Sequence, residues 1–339
     1  MKHAFSGRQH QRGTALILAM MIVVVVTLLG VQFEERFTLS IAKAENRWHG
    51  LQAQNYLLAT ETLAAHFLED DANNSDNDHL GEVWATEVTL PTDDGMMEVK
   101  LEDAQGRFNL NSLAANWTVP GNNPNPPLHL QFSPAQRRFI RLLQIFEDEQ
   151  LTQQEAIEIT EAVIDWVDDD GENLKGFGGA ESLYYNNLSP PYTPANQLFF
   201  SVSELQMVKG ITPALYQKLE PLVAVLPDTS ASLNVNTALP EVLRSINDQS
   251  LLTPLSEQDV ATIVEERTLQ AFEDVADFSN NAAIKNAIPN LDTSDFGVST
   301  NFFLMHAKTS VGEQIRYVRS GLSRTDGKVT TVSRRYTSY

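Results

Sequence analysis

Residues 14–33 run for twenty positions without a charge, and a basic stretch with no acid, MKHAFSGRQHQRG, leads into them. At about 1.5 Å rise per residue, a helix of that length covers about 30 Å, the thickness of a bilayer's hydrocarbon core. Any fold must bury this segment or leave it in lipid, and the flanking charges favour lipid. Lys2, Arg8 and Arg12 hold the leading residues in the cytoplasm, which puts everything after Glu34 on the far side of the membrane. A cleaved secretory signal fits poorly, because the run is too long for an apolar signal core and no A-x-A site precedes Glu34, Glu35 and Arg36. A plain single-pass anchor is the simple alternative.

The helical pattern continues beyond the membrane. Residues 33–67 contain no Pro, and Trp48, Leu51, Tyr56, Leu58, Leu63 and Phe67 carry the apolar positions onward. Gly30 and Gly50 are weak points, each costing about 1 kcal/mol relative to Ala. The polar run at 69–79, EDDANNSDNDH, then reads as an acidic loop that ends the helix. Alternating segments at 83–90 and 96–101 around a Pro91 to Gly95 turn form a hairpin signal, and 301–308, 314–322 and 328–335 read as three more strands. Asp326 and Gly327 make the last turn.

The stretch between these strand regions is mostly helical. Ser133 with Pro134, the capping box of Thr152 and Glu155, Ser203 with Gln206, and Ser256 with Asp259 mark helix starts. Phe139, Leu142, Leu143 and Phe146 form one apolar stripe, and Ile159, Val163 and Trp166 form the next. The expected class is α+β: a long N-terminal helix on an antiparallel sheet, with a large helical domain inserted between early and late strands. The expected divisions are a leader at 1–13, a membrane helix at 14–33 and its continuation at 34–68. The first part of the sheet then spans 69–112, the inserted domain 113–295 and the second part of the sheet 296–339.

Charge and cysteine content exclude several functions. The 339 residues hold 24 Lys plus Arg and 44 Asp plus Glu, a formal charge of -20, with no Cys. Such a surface opposes the counterion release on which nucleic-acid binding depends, and the chain has no thiol nucleophile, disulfide or thiolate zinc site. The charge is uneven: residues 69–103 carry twelve acids and one Lys, whereas 301–339 carry seven Lys or Arg and two acids.

The densest polar cluster is IDWVDDDGENLKGFGGAESLYY at 164–185. Hard cations such as Ca²⁺ take six to eight oxygens from closely spaced carboxylates and backbone carbonyls on a tight loop. Asp168 and Asp170, followed by Gly171, have that spacing, and Glu181 returns from across the loop. Asp165 and Asn173 are the second-choice ligands. The register is not that of an EF-hand, and the alternative is a solvated acidic loop. Self-repulsion among so many carboxylates favours a bound cation.

Two further strings are scaffold-like. VSELQMVKGITPALYQKLEPLVAVLP at 202–227 and LNVNTALPEVL at 233–243 are similar to helix-hairpin-helix modules, with Asn234 and Asn236 placed to cap the following helix. The second hairpin Gly of DNA-binding members is missing, and Glu204, Glu220, Asp228 and Glu241 surround the motif, so no nucleic-acid partner is expected. In DAQGRFNLN at 103–111, Gly106 permits a positive φ, and Asn109 and Asn111 can bond nearby backbone. No G-x-S-x-G, P-loop or complete G-x-G-x-x-G occurs, and the seven His show no i, i+4 pair. These patterns give no support to an enzyme.

Arg12 and Gly13 standing before the apolar run resemble a type IV prepilin leader. With the leader goes Leu18 at the fifth position after Gly13, where pilin-like chains usually carry Glu. Together with the three internal strings, these features resemble the GspK family of type II secretion minor pseudopilins over nearly the whole chain. The resemblance implies a pilin-like fold whose inserted helical domain carries helix-hairpin-helix repeats. It implies cleavage after Gly13 by prepilin peptidase, with Thr14 as the new, methylated N-terminus and a charge of -23 on what remains. It also implies insertion in the bacterial inner membrane, calcium in the 164–185 region, and partnership with the minor pseudopilins GspI and GspJ, other pseudopilins and the inner-membrane secretion platform. The family caps and initiates a periplasmic pseudopilus, and Leu18 suits a subunit with nothing above it to pair with an intramembrane Glu. Two rivals make different forecasts. A type IV or competence minor pilin predicts salt-sensitive DNA binding, and a membrane-anchored calcium-dependent hydrolase predicts a carboxylate pair in a cleft.

Overall fold

The structure, a computed structural model, describes residues 11–115, 117–120, 125–168 and 178–337. Its first element, α1 (Gln11–Asn74), is one unbroken 64-residue helix. A hairpin of β1 (Val88–Thr92) and β2 (Gly95–Asp103) follows. Next come the short β3 (Phe108–Asn109), then α2 (Pro134–Leu143), α3 (Gln153–Val167), α4 (Ser182–Asn186) and α5 (Pro213–Leu219). β4 (Val223–Ala224), β5 (Leu233–Asn234), α6 (Pro240–Leu243), α7 (Glu257–Leu269), α8 (Val275–Asn280), α9 (Ala282–Ala287) and β6 (Phe296–Gly297) complete the helical part. The chain ends in three long strands, β7 (Phe302–Val311), β8 (Gln314–Thr325) and β9 (Lys328–Thr337).

Five strands form one antiparallel sheet in the order β1-β2-β7-β8-β9, so the early hairpin and the late meander meet where β2 pairs with β7. The α1 residues facing the sheet are Ala53, Leu57, Thr60, Ala64 and Leu68, each at most 1 % exposed and spaced by three or four to keep one face. They meet Val99, Leu101, Phe303, Met305, Val318 and Leu322 from the strands, with Trp84 edge-on to Phe303 at 5.2 Å. Thr309 Oγ1 donates to Ala53 O at 2.9 Å. Glu61, buried in the same interface, accepts from Ser320 Oγ at 2.6 Å and is paired with Arg334.

The helical part has its own core. The rings of Phe108 and Phe139 stack at 5.3 Å, and Ile140, Leu142, Ile157, Val163, Leu205, Val235 and Phe278 pack into the same cluster. The apolar stripe of α2 does not suffice to describe its burial, because Arg137, Arg138 and Arg141 on the same helix are 3 %, 6 % and 3 % exposed. Arg141 donates to the carbonyls of Ser245, Asp248 and Leu251 at 2.6–3.1 Å. Arg138 lies over the rings of Phe108 and Phe296 and is paired with Asp295 at 2.5 Å. Arg141 is fully partnered in this way, whereas Nε and Nη1 of the buried Arg138 find no hydrogen-bond partner among the described residues.

Several local expectations are corrected. α1 runs through the first half of the acidic stretch and ends at Asn74, where Asn73 and Asn74 side chains bond back to the carbonyls of Glu69 and Asp70. Val83–Ala85 is a 3-10 turn rather than strand, and Val202–Met207 is a 3-10 turn capped by Ser201 rather than a helix starting at Ser203. Gly106 is not among the positive-φ residues. It is required for closeness, since a Cβ there would sit 3.0 Å from Thr237 O. Asn234 and Asn236 cap no helix: Asn234 Nδ2 donates to Asp78 O and Asp103 Oδ2, while Asn236 brackets the Phe272 backbone. Asn111 likewise reaches Phe199 and Leu226, far away in sequence.

Because Arg141 supplies every donor those carbonyls receive from α2, Arg141→Met is expected to cost about 2–4 kcal/mol. The exposed Arg316→Met is expected to stay within about 0.5 kcal/mol. Chemical denaturation of both variants checks the contrast.

Candidate functional site

Three predicted metal ligands lie among the described residues. Asp165 sits fully buried in the last turn of α3, Asp168 is the residue that ends this helix, and Glu181 precedes α4 and is 8 % exposed. Asp170 and Asn173 fall outside the described residues. Gly179 packs directly on the Asp165 carboxylate, where a Cβ would come within 1.9 Å of Oδ2, so only glycine admits this approach. Gly178 has φ +124, and its carbonyl accepts from Lys209 Nζ at 2.7 Å. Trp166, Tyr185 and Tyr192 wall the site, with Trp166 and Tyr185 edge-on at 5.3 Å. Burial pushes the Tyr185 hydroxyl up, and the neighbouring Tyr192, Tyr184 and Asp165 add to it. Asp165, Asp168 and Glu181 offer carboxylate oxygens, the donor type a hard cation takes, but their ligand atoms do not all lie within 4.8 Å of one another, so these three alone do not form a closed site.

A second acidic group was not legible in the sequence. Among the described residues, Asp71, Asp78 and Glu82 are the one trio whose ligand atoms lie within 4.8 Å of one another. Its lone pairs are already engaged. Arg324, from β8, pairs with Asp71 at 3.1 Å and with both oxygens of Asp78 at 2.6 Å. The Thr300 amide also donates to Asp78, and Glu82 accepts from His79 N and Trp84 Nε1. A guanidinium occupies the place a metal would take, so this trio is an ion-pair knot and a poor metal fit. It joins the end of α1, the sheet and the helical part, since the Asp78 backbone bonds both Val298 and Asn234. Burial, then Glu82 and Asp78, raise Asp71 to about 6 against the pull of Arg324.

The processing and membrane residues lie on α1. Gly13, Thr14 and Leu18 are exposed in its first turns. Among the described residues α1 is the one helix long and apolar enough to cross a membrane. Past the apolar run, Phe37, Ile41, Trp48, Leu51 and Leu58 stay exposed at three- and four-residue spacing or its multiples, on the face away from the sheet. The chain passes from β2 into the helical part at Asp103 and returns to β7 at Phe302, residues at the end of the sheet farthest from the membrane segment.

An apolar helix that leaves a membrane-length segment and becomes the spine of a small antiparallel sheet defines a pilin-like filament subunit. Models of the family "Type II secretion system (T2SS), protein K" match residues 106–228 and 233–299. The chain is 32 % identical over 338 residues to type II secretion system protein K of Klebsiella pneumoniae, with 97 % of each chain covered. It is also 32 % identical over 336 residues to the Pseudomonas aeruginosa protein of that name, covering 96 % of this chain and 93 % of that one. Among solved structures, a chain of the GspK-GspI-GspJ complex from enterotoxigenic Escherichia coli has the same fold, with a TM-score of 0.68, 24 % identity, and coverage of 88 % of this chain and 100 % of that one. The chain belongs to the type II secretion system protein K family and has the role of a minor pseudopilin.

Asp71 binds its proton more tightly folded than unfolded, so its contribution to stability is complete below its unfolded pKa near 3.8 and is lost as pH rises through about 6. Asp71→Asn does not titrate. The stability of this variant relative to the parent is expected to rise between pH 4 and 7 by about 1–2 kcal/mol, less than the full shift because water screens part of the group. Urea unfolding across that range checks it.

Proposed function

We propose that this chain is the terminal subunit of a periplasmic pseudopilus, where it initiates assembly and limits growth during export of folded proteins through the outer membrane. One observation carries the reading: both connections to the helical part lie at the end of the sheet distal to the membrane segment. A bulky domain placed there covers the surface on which a further subunit would stack, while α1 remains open to neighbours below. The expected leader at 1–13 and membrane helix at 14–33 are kept, with α1 continuing to Asn74 and the insertion lying between β2, which ends at Asp103, and β7, which begins at Phe302.

The chain spans the inner membrane once, with its N-terminus cytoplasmic and the rest periplasmic. Prepilin peptidase cuts after Gly13, and Thr14 becomes the methylated terminus. Leu18 leaves no carboxylate at membrane depth, so the subunit needs no partner above, and the Thr14 amine is free for the Glu of the subunit beneath. Its neighbours are GspI and GspJ, then the other pseudopilins and the inner-membrane platform. The fold likeness to a GspK-GspI-GspJ complex and the uncovered apolar line on α1 support lateral association. The role is structural rather than catalytic. Calcium held by Asp168, Asp170 and Glu181, with Asp165 and Asn173 as further ligands, would fix the α3–α4 connection and offset its negative charge.

Two measurements test this. Mass spectrometry of membrane-extracted protein is expected to show a chain beginning at Thr14; an intact Met1, or a cut beyond residue 30, contradicts the assignment. Calcium is expected to raise the melting temperature of the parent. Asp168→Asn combined with Asp170→Asn should remove that rise, and an unchanged response excludes these ligands.

A further inference from the structure

The excess of positive charge in the last three strands has a specific arrangement. Lys100 on β2 is registered with His306 on β7, His306 with Arg319 on β8, and Arg319 with Arg335 on β9. At about 4.8 Å per strand, four basic side chains form a straight row about 14 Å long. The row lies on the face away from α1. Val318 and Ser320, which flank Arg319, point inward and are 1 % exposed, whereas Lys100, Arg319 and Arg335 are exposed. A groove of about 210 Å³ runs along the same face, with Lys100, His306, Lys308 and Arg319 on its walls beside Glu87 and Glu98.

Part of this charge is balanced within the chain. Glu102 pairs with Lys100 at 2.7 Å and Arg107 at 2.5 Å, and Glu98 pairs with Lys308 at 2.8 Å. Among the described residues, neither Arg319 nor Arg335 has a carboxylate within 4.0 Å. Like charges directly opposite on neighbouring strands destabilise a sheet. Burial, with Arg319, Arg107 and Lys100, pushes His306 down against the pull of Glu102 at 3.7 Å, so the imidazole is neutral at pH 7 and the like-charged pair directly opposite is Arg319 with Arg335. Charge on β9 alone would serve to protect an open sheet edge. A row that continues across three inner strands is more than edge protection needs, and it stands on a chain whose net charge is -20.

We propose that this row is a docking surface for a carboxylate-rich segment of another polypeptide, whose acidic side chains bridge Arg319 and Arg335. Charge complementarity selects that occupant. The segment belongs to a neighbouring subunit of the assembly, and in that respect the inference rests on the reading above.

The test uses detergent-solubilised full chain and a fluorescein-labelled octaglutamate peptide, followed by anisotropy at 0.05 and 0.2 M salt. Binding is expected to saturate and to weaken with salt, and Arg319→Gln with Arg335→Gln is expected to weaken it at least tenfold. Lys43→Gln, remote from the row, should leave it unchanged. Arg335→Thr alone is expected to raise the melting temperature, because it removes a repulsive pair. Equal peptide binding by the double variant, or a lower melting temperature for Arg335→Thr, overturns the proposal. So does binding to phosphatidylglycerol vesicles without binding to the peptide. Mass spectrometry of the N-terminus reads the assembly assignment separately, so either idea can fail while the other stands.

Discussion

The structure depends on one helix serving two solvents. From Ala15 to Phe33 α1 exposes apolar side chains in every direction, a stretch long and apolar enough to cross a membrane. From Ala53 onward it presents one apolar face to a sheet, and its other face keeps the line of Phe37, Ile41, Trp48, Leu51 and Leu58. A helix needs no partner to satisfy its backbone, so the same element can pass from lipid to water without a break. What changes along it is the company its side chains keep. The uncovered line is the point at which the fold asks for a neighbour, and a filament subunit is the protein that has one.

The second constraint is how the inserted part is held. Two crossings at Asp103 and Phe302 would act as a hinge if nothing else linked the units. Instead, buried polar groups tie them: Asn234 to Asp78 and Asp103, Thr237 to Asp103, and the Asp78 amide to the Val298 carbonyl. Each contact is directional and buried, so a rotated domain would leave unsatisfied donors and acceptors at a cost of about 1–3 kcal/mol apiece. The asparagines of the N-x-N and N-L-N strings therefore have a positional role. They set the pose of a domain that must stand at one end of the sheet.

Much of this was legible in the chain. The uncharged run after Gly13, the alternating strands and the Asp326 and Gly327 turn announce a helix on an antiparallel sheet, and the caps at Ser133, Thr152 and Ser256 stand where expected. The misses share a cause. Gly106, Asn111 and Asn234 answer to residues about 90 to 160 positions away, and local turn chemistry cannot reveal such partners. The Asp71, Asp78 and Glu82 trio is a similar case, since the acids were visible but Arg324 arrives from the far end of the chain. Three buried arginines on α2 were invisible because apolar periodicity ranks arginine as surface. Of the metal candidates, the pattern identified carboxylates that fold inward at Asp165 and Glu181, while Asp170 and Asn173 lie outside the described residues.

Partner helices are expected to cover the exposed line on α1 when the protein is assembled. The chain has no cysteine, so single Cys substitutions report cleanly. Maleimide labelling in cells would compare Trp48→Cys and Leu51→Cys with Arg47→Cys and Gln54→Cys, in the presence and absence of the other pseudopilins. Protection of positions 48 and 51 alone, and only when partners are present, is the predicted result. Equal labelling at all four positions in both strains would contradict it.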